Sequence, residues 1–437
     1  RFISENFLKK ALNFNINLFA IDEAHCVSLW GEDFRLSYAK LKRTFEYFPK
    51  VTKSAFTASA TKKVKEDIIE KIGLKNYNLF QKSFLRKNIS CAIVKTENKF
   101  SRLLVCLNKI QGSTIIYVSN RDFTKKISED LNLKNFSSTY YHAGMSKDER
   151  ENNQKLWLKD DFRIIVATNA FGMGVDKKNV RLVVHFDLPS CIEDFYQEIG
   201  RAGRDEKESF SVLFYDQSDI KKNKELIRES FLEYDFIKDF YKKLKMNFQL
   251  ANGVSNENKY VFSVEEFSKK NNISTKECYK IFDFLEKNEI LKLNENFFQK
   301  SVAKINLSLQ DFRNFKNSSG DNLKNFIETI LRIYGGKILN SFCEINEEKI
   351  SIESNNNFDQ TLKYLNYMDK LKIISYRGKD HATISFLKNI YDENSLPISK
   401  KNLEDREKFL QKKNDSMIYF IENDFRCRFD MILDYFD

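Results

Sequence analysis

Between residues 114 and 186 the chain alternates short apolar runs with amphipathic stretches, and no other feature restricts its fold as strongly. Residues 114–118, 138–142, 163–168 and 180–186 read as strands, and 122–131 and 147–158 between them as helices. Regular strand–helix alternation predicts an α/β fold, a doubly wound parallel sheet with ligands at the carboxyl ends of its strands. The same signature occurs earlier. Residues 5–13 look helical, Leu18-Phe19-Ala20-Ile21 is a continuous apolar run ending in acid, 52–61 is a strand and turn, and 62–72 a helix. An unbroken apolar run of this length suits a strand of a buried parallel sheet.

A chain of 437 residues has room for two to four domains at roughly 100–200 residues each. Apolar residues make up 42%, enough for cores, and charged residues 31%. The formal charge of +11 favours polyanion partners, nucleic acid first, although a lysine-rich background gives the same balance. Seven scattered cysteines without a CxxC pair form neither a disulfide framework nor a complete zinc site, and suit a reducing cytoplasm. No apolar run approaches the ~20 residues of a membrane span, and the opening residues do not read as a signal peptide.

After about residue 216 the pattern changes. Residues 220–244 are one long, charged, amphipathic stretch. Residues 264–293 read helix, turn, helix, strand, the outline of a winged helix, an outline shared with helical repeats and protein-interaction modules. Residues 355–357 and 392–401 look like loops, and no internal repeat is visible.

Chemistry enters at Asp22-Glu23-Ala24-His25, directly after the first apolar strand. Of two adjacent carboxylates, the first can hold magnesium, which prefers oxygen ligands. The second can polarise a water attacking a γ-phosphate. His25 could couple nucleotide state to a neighbouring lobe. The segment that follows includes Ser28, Trp30, Gly31, Glu32, Asp33, Phe34, Arg35, Leu36 and Tyr38. It resembles the aromatic-rich loop that follows the DEAH box of RecQ helicases, S-x-W-G-H-D-F-R-P-x-Y. The sequence departs from that pattern at Glu32 and Leu36. The resemblance implies that Ser28, Trp30 and Phe34 contact DNA and that Arg35 reaches the nucleotide. Aromatic faces stack on single-strand bases at about 1–3 kcal/mol each; the alternative is that Trp30 and Phe34 are core. Ala55-Phe56-Thr57-Ala58-Ser59-Ala60-Thr61 resembles the family's third motif, with Thr57, Ser59 and Thr61 as the coupling hydroxyls.

Farther on, the segment from Thr168 through Gly172-Met173-Gly174-Val175-Asp176 resembles motif five of superfamily-two helicases. It implies that Gly174 and Asp176 face the nucleotide and Thr168 the DNA backbone. Gln197-Glu198-Ile199-Gly200-Arg201-Ala202-Gly203-Arg204 resembles motif six. Gln197, Arg201 and Arg204 complete the expected catalytic set with Asp22, Glu23 and His25. Planar, permanently charged guanidinium forks suit the equatorial oxygens of a phosphoryl-transfer transition state. A spacing of three places the two arginines on one side of a helical turn. The matches at 113–121, 141–145 and 185–189 extend the resemblance.

No G-x-x-x-x-G-K-[ST] cradle occurs in the sequence; Tyr334-Gly335-Gly336-Lys337 lacks the required spacing. Set against the family, the N-terminal half of the first lobe is expected to be missing. Near the other end, residues 425–436 resemble the start of the family's four-cysteine zinc module. Cys427 would be its first ligand, with zinc bound only in a longer protein.

The resemblance thus implies two RecA-like parallel-sheet lobes, the first N-terminally truncated, then a mostly helical region with a winged-helix-like module. The expected boundaries are 1–78 and 79–216 for the lobes, 217–255 for a helical linker and 256–300 for the winged-helix-like module. An α/β region of unknown role follows at 301–404, and the zinc module begins at 405–437. The implied activity is ATP- and magnesium-dependent 3′→5′ unwinding of DNA in repair and recombination by a cytoplasmic monomer acting on single strands and duplex junctions. A superfamily-two RNA helicase and a DNA-binding remnant without ATPase activity are the alternatives.

Overall fold

A computed structural model describes residues 5–28, 38, 40–172, 175–253, 259–294, 301–378, 383–387 and 390–436. The chain divides into two compact units, residues 1–232 with 399–437, and residues 233–398.

The first unit opens with helix α1 (Glu5–Ala11), strand β1 (Leu18–Ile21), α2 (Leu41–Glu46), β2 (Thr52–Ala55) and α3 (Lys62–Ile72). β1 and β2 pair in parallel, Ile21 opposite Ala55. Val64, Ile68 and Ile72 of α3 repeat at helical spacing and pack with Ile21, Ala24 and Val27.

A larger sheet follows. In chain order its elements are β3 (Ile89–Lys95), α4 (Lys99–Lys109), β4 (Ser113–Tyr117), α5 (Arg121–Leu133), β5 (Ser138–Tyr141), α6 (Lys147–Leu158), β6 (Ile164–Ala167), β7 (Val180–His185), α7 (Ile192–Ile199) and β8 (Ser209–Tyr215). The strands form one six-stranded sheet in the order β3-β8-β7-β4-β6-β5, and every pairing is parallel. Ile116, Val166 and Val184 pack with Leu103 and Leu107 of α4 and Ile127 and Leu131 of α5. Ile115, Ile165 and Val183 pack on the opposite face with Trp157 of α6 and Phe195 and Ile199 of α7. Because both faces are covered, the central strands carry apolar side chains on both sides, as in Ile115-Ile116 of β4, Ile164-Ile165-Val166-Ala167 of β6 and Leu182-Val183-Val184 of β7, which is why they read as nearly continuous runs.

The stretch expected as one helix over 220–244 is two: α8 (Gln217–Ser230), capped by Asp216, and α9 (Tyr234–Asn247). The break coincides with the boundary between the two units. After the second unit, residues 233–398, the chain returns to the first unit as α17 (Lys400–Glu422) and α18 (Arg428–Phe436). Met417, Phe420, Ile432 and Phe436 join the same core as Phe195 and Ile199. Residues 405–437 therefore pack as part of the second lobe's core.

The second unit contains two small α/β modules. In the first, α9, β9 (Lys259–Val261), α10 (Val264–Asn271), α11 (Thr275–Lys287) and β10 (Leu291–Leu293) are completed by β14 (Thr383–Phe386), giving the antiparallel sheet β10-β14-β9. The second lies between β10 and β14. It comprises β11 (Val302–Ile305), α12 (Leu309–Ser318), α13 (Asp321–Tyr334), α14 (Lys337–Asn340), β12 (Cys343–Glu344), α15 (Glu347–Glu353), α16 (Phe358–Lys370) and β13 (Ile374–Arg377). Its sheet order is β12-β11-β13, and its own core includes Phe326, Ile330, Ile350, Leu365 and Met368. The module expected at 256–300 thus draws its last strand from 383–386, far outside those limits.

Candidate active site

The site is built at the carboxyl ends of β1 and β2. Just beyond the strands, the Phe56 amide donates to Ile21 O at 2.8 Å and the Ala24 amide to Phe56 O at 2.9 Å. These bonds hold 22–25 beside 56–59. Glu23 has φ 49°, and a short 3-10 turn over Ala24–Val27 follows. Asp22 is exposed, and its Oδ1 accepts the Glu23 amide at 2.9 Å. Tyr38 donates from its hydroxyl to Asp22 O at 3.3 Å.

A polar relay leads away from the carboxylates. Buried His25 places Nδ1 3.4 Å from Glu23 Oε2 and 3.0 Å from Thr57 Oγ1. Thr57 Oγ1 accepts the Ser59 amide at 3.4 Å, and Ser59 Oγ accepts Gln197 Nε2 at 2.8 Å. The chain Glu23–His25–Thr57–Ser59–Gln197 therefore runs from the first lobe to α7 of the second. Thr61 lies outside it, preceding α3 without a side-chain capping bond.

Ser28 is a correction to the DNA-binding expectation. Fully buried, it donates to Asp67 Oδ2 at 2.5 Å, and Asp67 is also held by Lys71 at 3.1 Å. Its hydroxyl ties the carboxylate loop to α3. Trp30, Phe34 and Arg35, with most of the aromatic-rich loop, lie outside the described residues, as does Gly174.

The arginines also differ from expectation. Helix α7 ends at Ile199, so Arg201 and Arg204 lie in the turns beyond it and do not share a helical face. Arg201 lies against Gly172, where an added Cβ would stand 3.2 Å from Nη2, and its buried Nε has no hydrogen-bond partner. Arg204 donates from Nη1 to Val175 O at 3.0 Å and Asp176 Oδ1 at 2.9 Å. Asp176 thus engages Arg204 in this structure, while Thr168, at the end of β6, is nearly buried.

Several supporting residues escaped the sequence reading. Gly203, at φ +56°, has no room for a Cβ: Asn88 Nδ2 would be 2.4 Å away. Asn88 donates to Gly203 O at 2.7 Å and Arg86 to Ala202 O and Gly203 O, both at 3.1 Å. The segment entering β3 therefore pins the arginine turn. Behind it, His185 Nε2 meets Glu198 Oε2 at 2.8 Å, and burial raises the Glu198 pKa above the usual carboxylate range. Burial also pushes the Tyr117 hydroxyl far up; it donates to Phe171 O at 3.0 Å. The only sequence signal for these groups is polar residues beside recognisable motifs.

Among the described residues no group of three His, Cys, Asp or Glu side chains could hold a metal. Exposed Cys427 alone cannot make a structural zinc site, which takes four ligands. Exposed Asp22 fits magnesium better, because that ion commonly takes one or two carboxylates and fills its shell with water and phosphate oxygens.

Comparison with known proteins agrees with this geometry. Residues 97–206 match the helicase conserved C-terminal domain, and 304–378 match the RecQ helicase winged-helix domain of Bacteroidota. In these regions the chain is similar to RecQ helicases. It is 42% identical over 205 residues to the ATP-dependent DNA helicase RecQ of Pasteurella multocida, covering 47% of this chain and 32% of that protein. With RecQ of Bacillus subtilis the identity is 38% over 233 residues, covering 53% and 39%. With the ATP-dependent DNA helicase Q-like 4B of Arabidopsis thaliana it is 41% over 214 residues, covering 48% and 19%. The matches thus span between a fifth and two fifths of these relatives. The winged-helix match falls on the second module of the second unit, where the sequence offered no function. No described helix is long and apolar enough to cross a membrane.

Proposed function

We propose that these residues form the carboxylate and arginine halves of an ATP-driven, 3′→5′ DNA-unwinding motor of the RecQ type, acting on single strands and duplex junctions in repair and recombination. The observation that carries this reading is the relay from Glu23 to Gln197. It links the carboxylate that polarises the attacking water to the helix preceding Arg201, so hydrolysis and lobe position are coupled. Asp22 would hold the magnesium ion, which neutralises charge on the transferring phosphate. Glu23 orients the water, His25 passes its state to Thr57, and Arg201 and Arg204 meet the developing charge.

Arg204 must leave Asp176 to do so. That exchange is cheap, because Asp176 is largely exposed and exposed ion pairs are worth about 0–1 kcal/mol. Arg201, whose buried Nε is unpartnered, has a hydrogen-bond donor to gain from an anionic ligand.

The test is steady-state ATP hydrolysis and strand displacement on a 3′-tailed DNA duplex by the full-length protein. Arg201→Lys should lower kcat on the order of 10³-fold with little change in KM, because a point charge does not replace a planar fork. Turnover within a few-fold of the parent would sink the assignment. Equal displacement of RNA duplexes would move the reading to an RNA helicase. Purified residues 1–437, which contain no phosphate-cradle motif, should show no helicase-like turnover.

A further inference from the structure

We propose that Glu198, braced by His185 and with Tyr117 beside it, is a positioning residue for Arg201: its carboxylate fixes where the guanidinium rests before phosphate arrives. The inference rests on the RecQ-type reading for the role of Arg201 and adds a residue to that machinery.

The backbone already ties the two residues together. Glu198 lies in the last turn of α7, and the Arg201 amide donates to Glu198 O at 3.1 Å. One position earlier, Gln197 reaches Ser59 of the first lobe. Successive helical residues diverge by about 100°, so Glu198 points elsewhere, toward the end of β7. There its Oε2 meets His185 Nε2 at 2.8 Å, and the Glu198 and His185 side chains are only 14% and 1% exposed.

His185 has little freedom. Its ring is flanked by Tyr117, stacked at 5.6 Å, and by Phe195 at 4.9 Å. Its Nδ1 is buried without a hydrogen-bond partner. A proton on that nitrogen would be a buried donor with nothing to bond, so the neutral ring carries its proton on Nε2 and donates to Glu198. The carboxylate keeps its charge and loses its freedom to turn.

Tyr117, the last residue of β4, closes the arrangement. Its hydroxyl donates to Phe171 O at 3.0 Å, which leaves its oxygen as an acceptor beside the Arg201 guanidinium. The guanidinium also lies against Gly172, the residue after Phe171. Strands β4 and β7, helix α7 and the turn after β6 thus converge on one arginine.

Among the described residues Arg201 forms no ion pair, whereas Arg204 is held by Asp176 at 2.9 Å. Because Glu198 Oε2 is occupied by His185, the carboxylate attracts Arg201 without clamping it. The attraction is mutual: burial pushes the Glu198 carboxyl up, and His185 and Arg201 pull it back down. A bidentate carboxylate pair would have to break before Arg201 could meet a phosphate. A carboxylate engaged elsewhere orients the guanidinium and leaves its N–H groups available. Stability alone does not call for the pair, since apolar side chains of similar volume would serve the fold as well.

The experiment is a double-mutant cycle, Glu198→Gln against Arg201→Lys, read by steady-state ATP hydrolysis of the full-length protein with a 3′-tailed DNA duplex. Gln keeps the shape and the hydrogen bond from His185 but removes the charge. Glu198→Gln should lower kcat by up to about 10²-fold, the scale of a misplaced catalytic group, with KM little changed. In the Arg201→Lys background the same change should cost nothing further, because residues that act as one unit are not additive. His185→Phe with Glu198→Leu should melt close to the parent yet turn over as slowly as Glu198→Gln. Full turnover in Glu198→Gln or in that apolar variant overturns the proposal. Losses that multiply with that of Arg201→Lys also overturn it, since they would come from the fold as a whole. Should the apolar variant fail to fold, Glu198→Gln and the cycle still decide. If Arg201→Lys alone leaves turnover intact, the RecQ-type reading fails and this inference falls with it. A slow Arg201→Lys beside a fully active Glu198→Gln sinks only this inference.

Discussion

His185 and Glu198 sit directly behind the arginine turn, nearly buried, with Nε2 and Oε2 2.8 Å apart. A buried pair of this kind contributes little net stability over apolar side chains of similar volume, but losing one partner is expensive. Glu198→Ala should therefore destabilise the first unit by about 3–5 kcal/mol. His185→Phe combined with Glu198→Leu should recover much of that loss in denaturant titrations of residues 1–437. Equal losses in the single and double variants would show that the pair holds the fold by itself. Asp205 gives a pH signature. Its hydrogen bond from Arg181, 2.5 Å, holds its carboxyl below the usual carboxylate range. A depressed carboxylate contributes stability above its unfolded pKa and loses it as pH falls through the folded one. Asp205→Asn should thus be less stable than the parent at neutral pH, and the gap should close below about pH 3.8. A gap constant from neutral pH into acid would argue against the linkage.

At the scale of elements, α7 is held from behind by the returning helices. Phe436 of α18 stacks on Phe84 at 4.2 Å and meets Tyr196 of α7 edge-on at 5.5 Å, while Phe420 of α17 lies 5.3 Å from Phe195. Buried Lys413 of α17 pairs with buried Glu193 of α7 at 2.7 Å. Phe436→Ala should cost about 3–5 kcal/mol, and a melt unchanged from the parent would show that α18 is dispensable to this core. Nothing local announces this packing, because its partners lie more than two hundred residues apart. The central strands β4, β6 and β7 were legible for the opposite reason: cover on both faces gives each a continuous apolar stretch. Strand β3 went unread because it is a sheet edge with half-exposed side chains. Strand β14 was unreadable as part of the first module because about ninety residues separate it from β10. In the site, the carboxylates and the Thr57–Ser59 relay were legible as motifs. Which way Ser28 points, and that Arg201 and Arg204 part company, depended on where α3 and the end of α7 fall.

The whole molecule follows from one topological fact: residues 233–398 interrupt a unit whose core needs residues 399–437. The hydrophobic face of α17 and α18 is buried against β3, α7 and β8 by Met417, Phe420, Ile421, Ile432 and Phe436. Each such side chain is worth roughly 1.5–3 kcal/mol when removed from water. Several together exceed the whole marginal stability of a typical domain, about 5–15 kcal/mol, before the entropy of ordering the segment is counted. Covalent continuity through the second unit is therefore not what keeps 399–437 in place. Protease sites engineered at 231–233 and 392–398, once cleaved, should release residues 233–398 as a separate folded species on gel filtration. Residues 399–437 should co-elute with 1–232, and the melting transition of that pair should survive. Release of 399–437 on nicking would mean that its packing depends on the chain that delivers it. Retention would mean that the arginine turn is supported from behind whatever the second unit is doing.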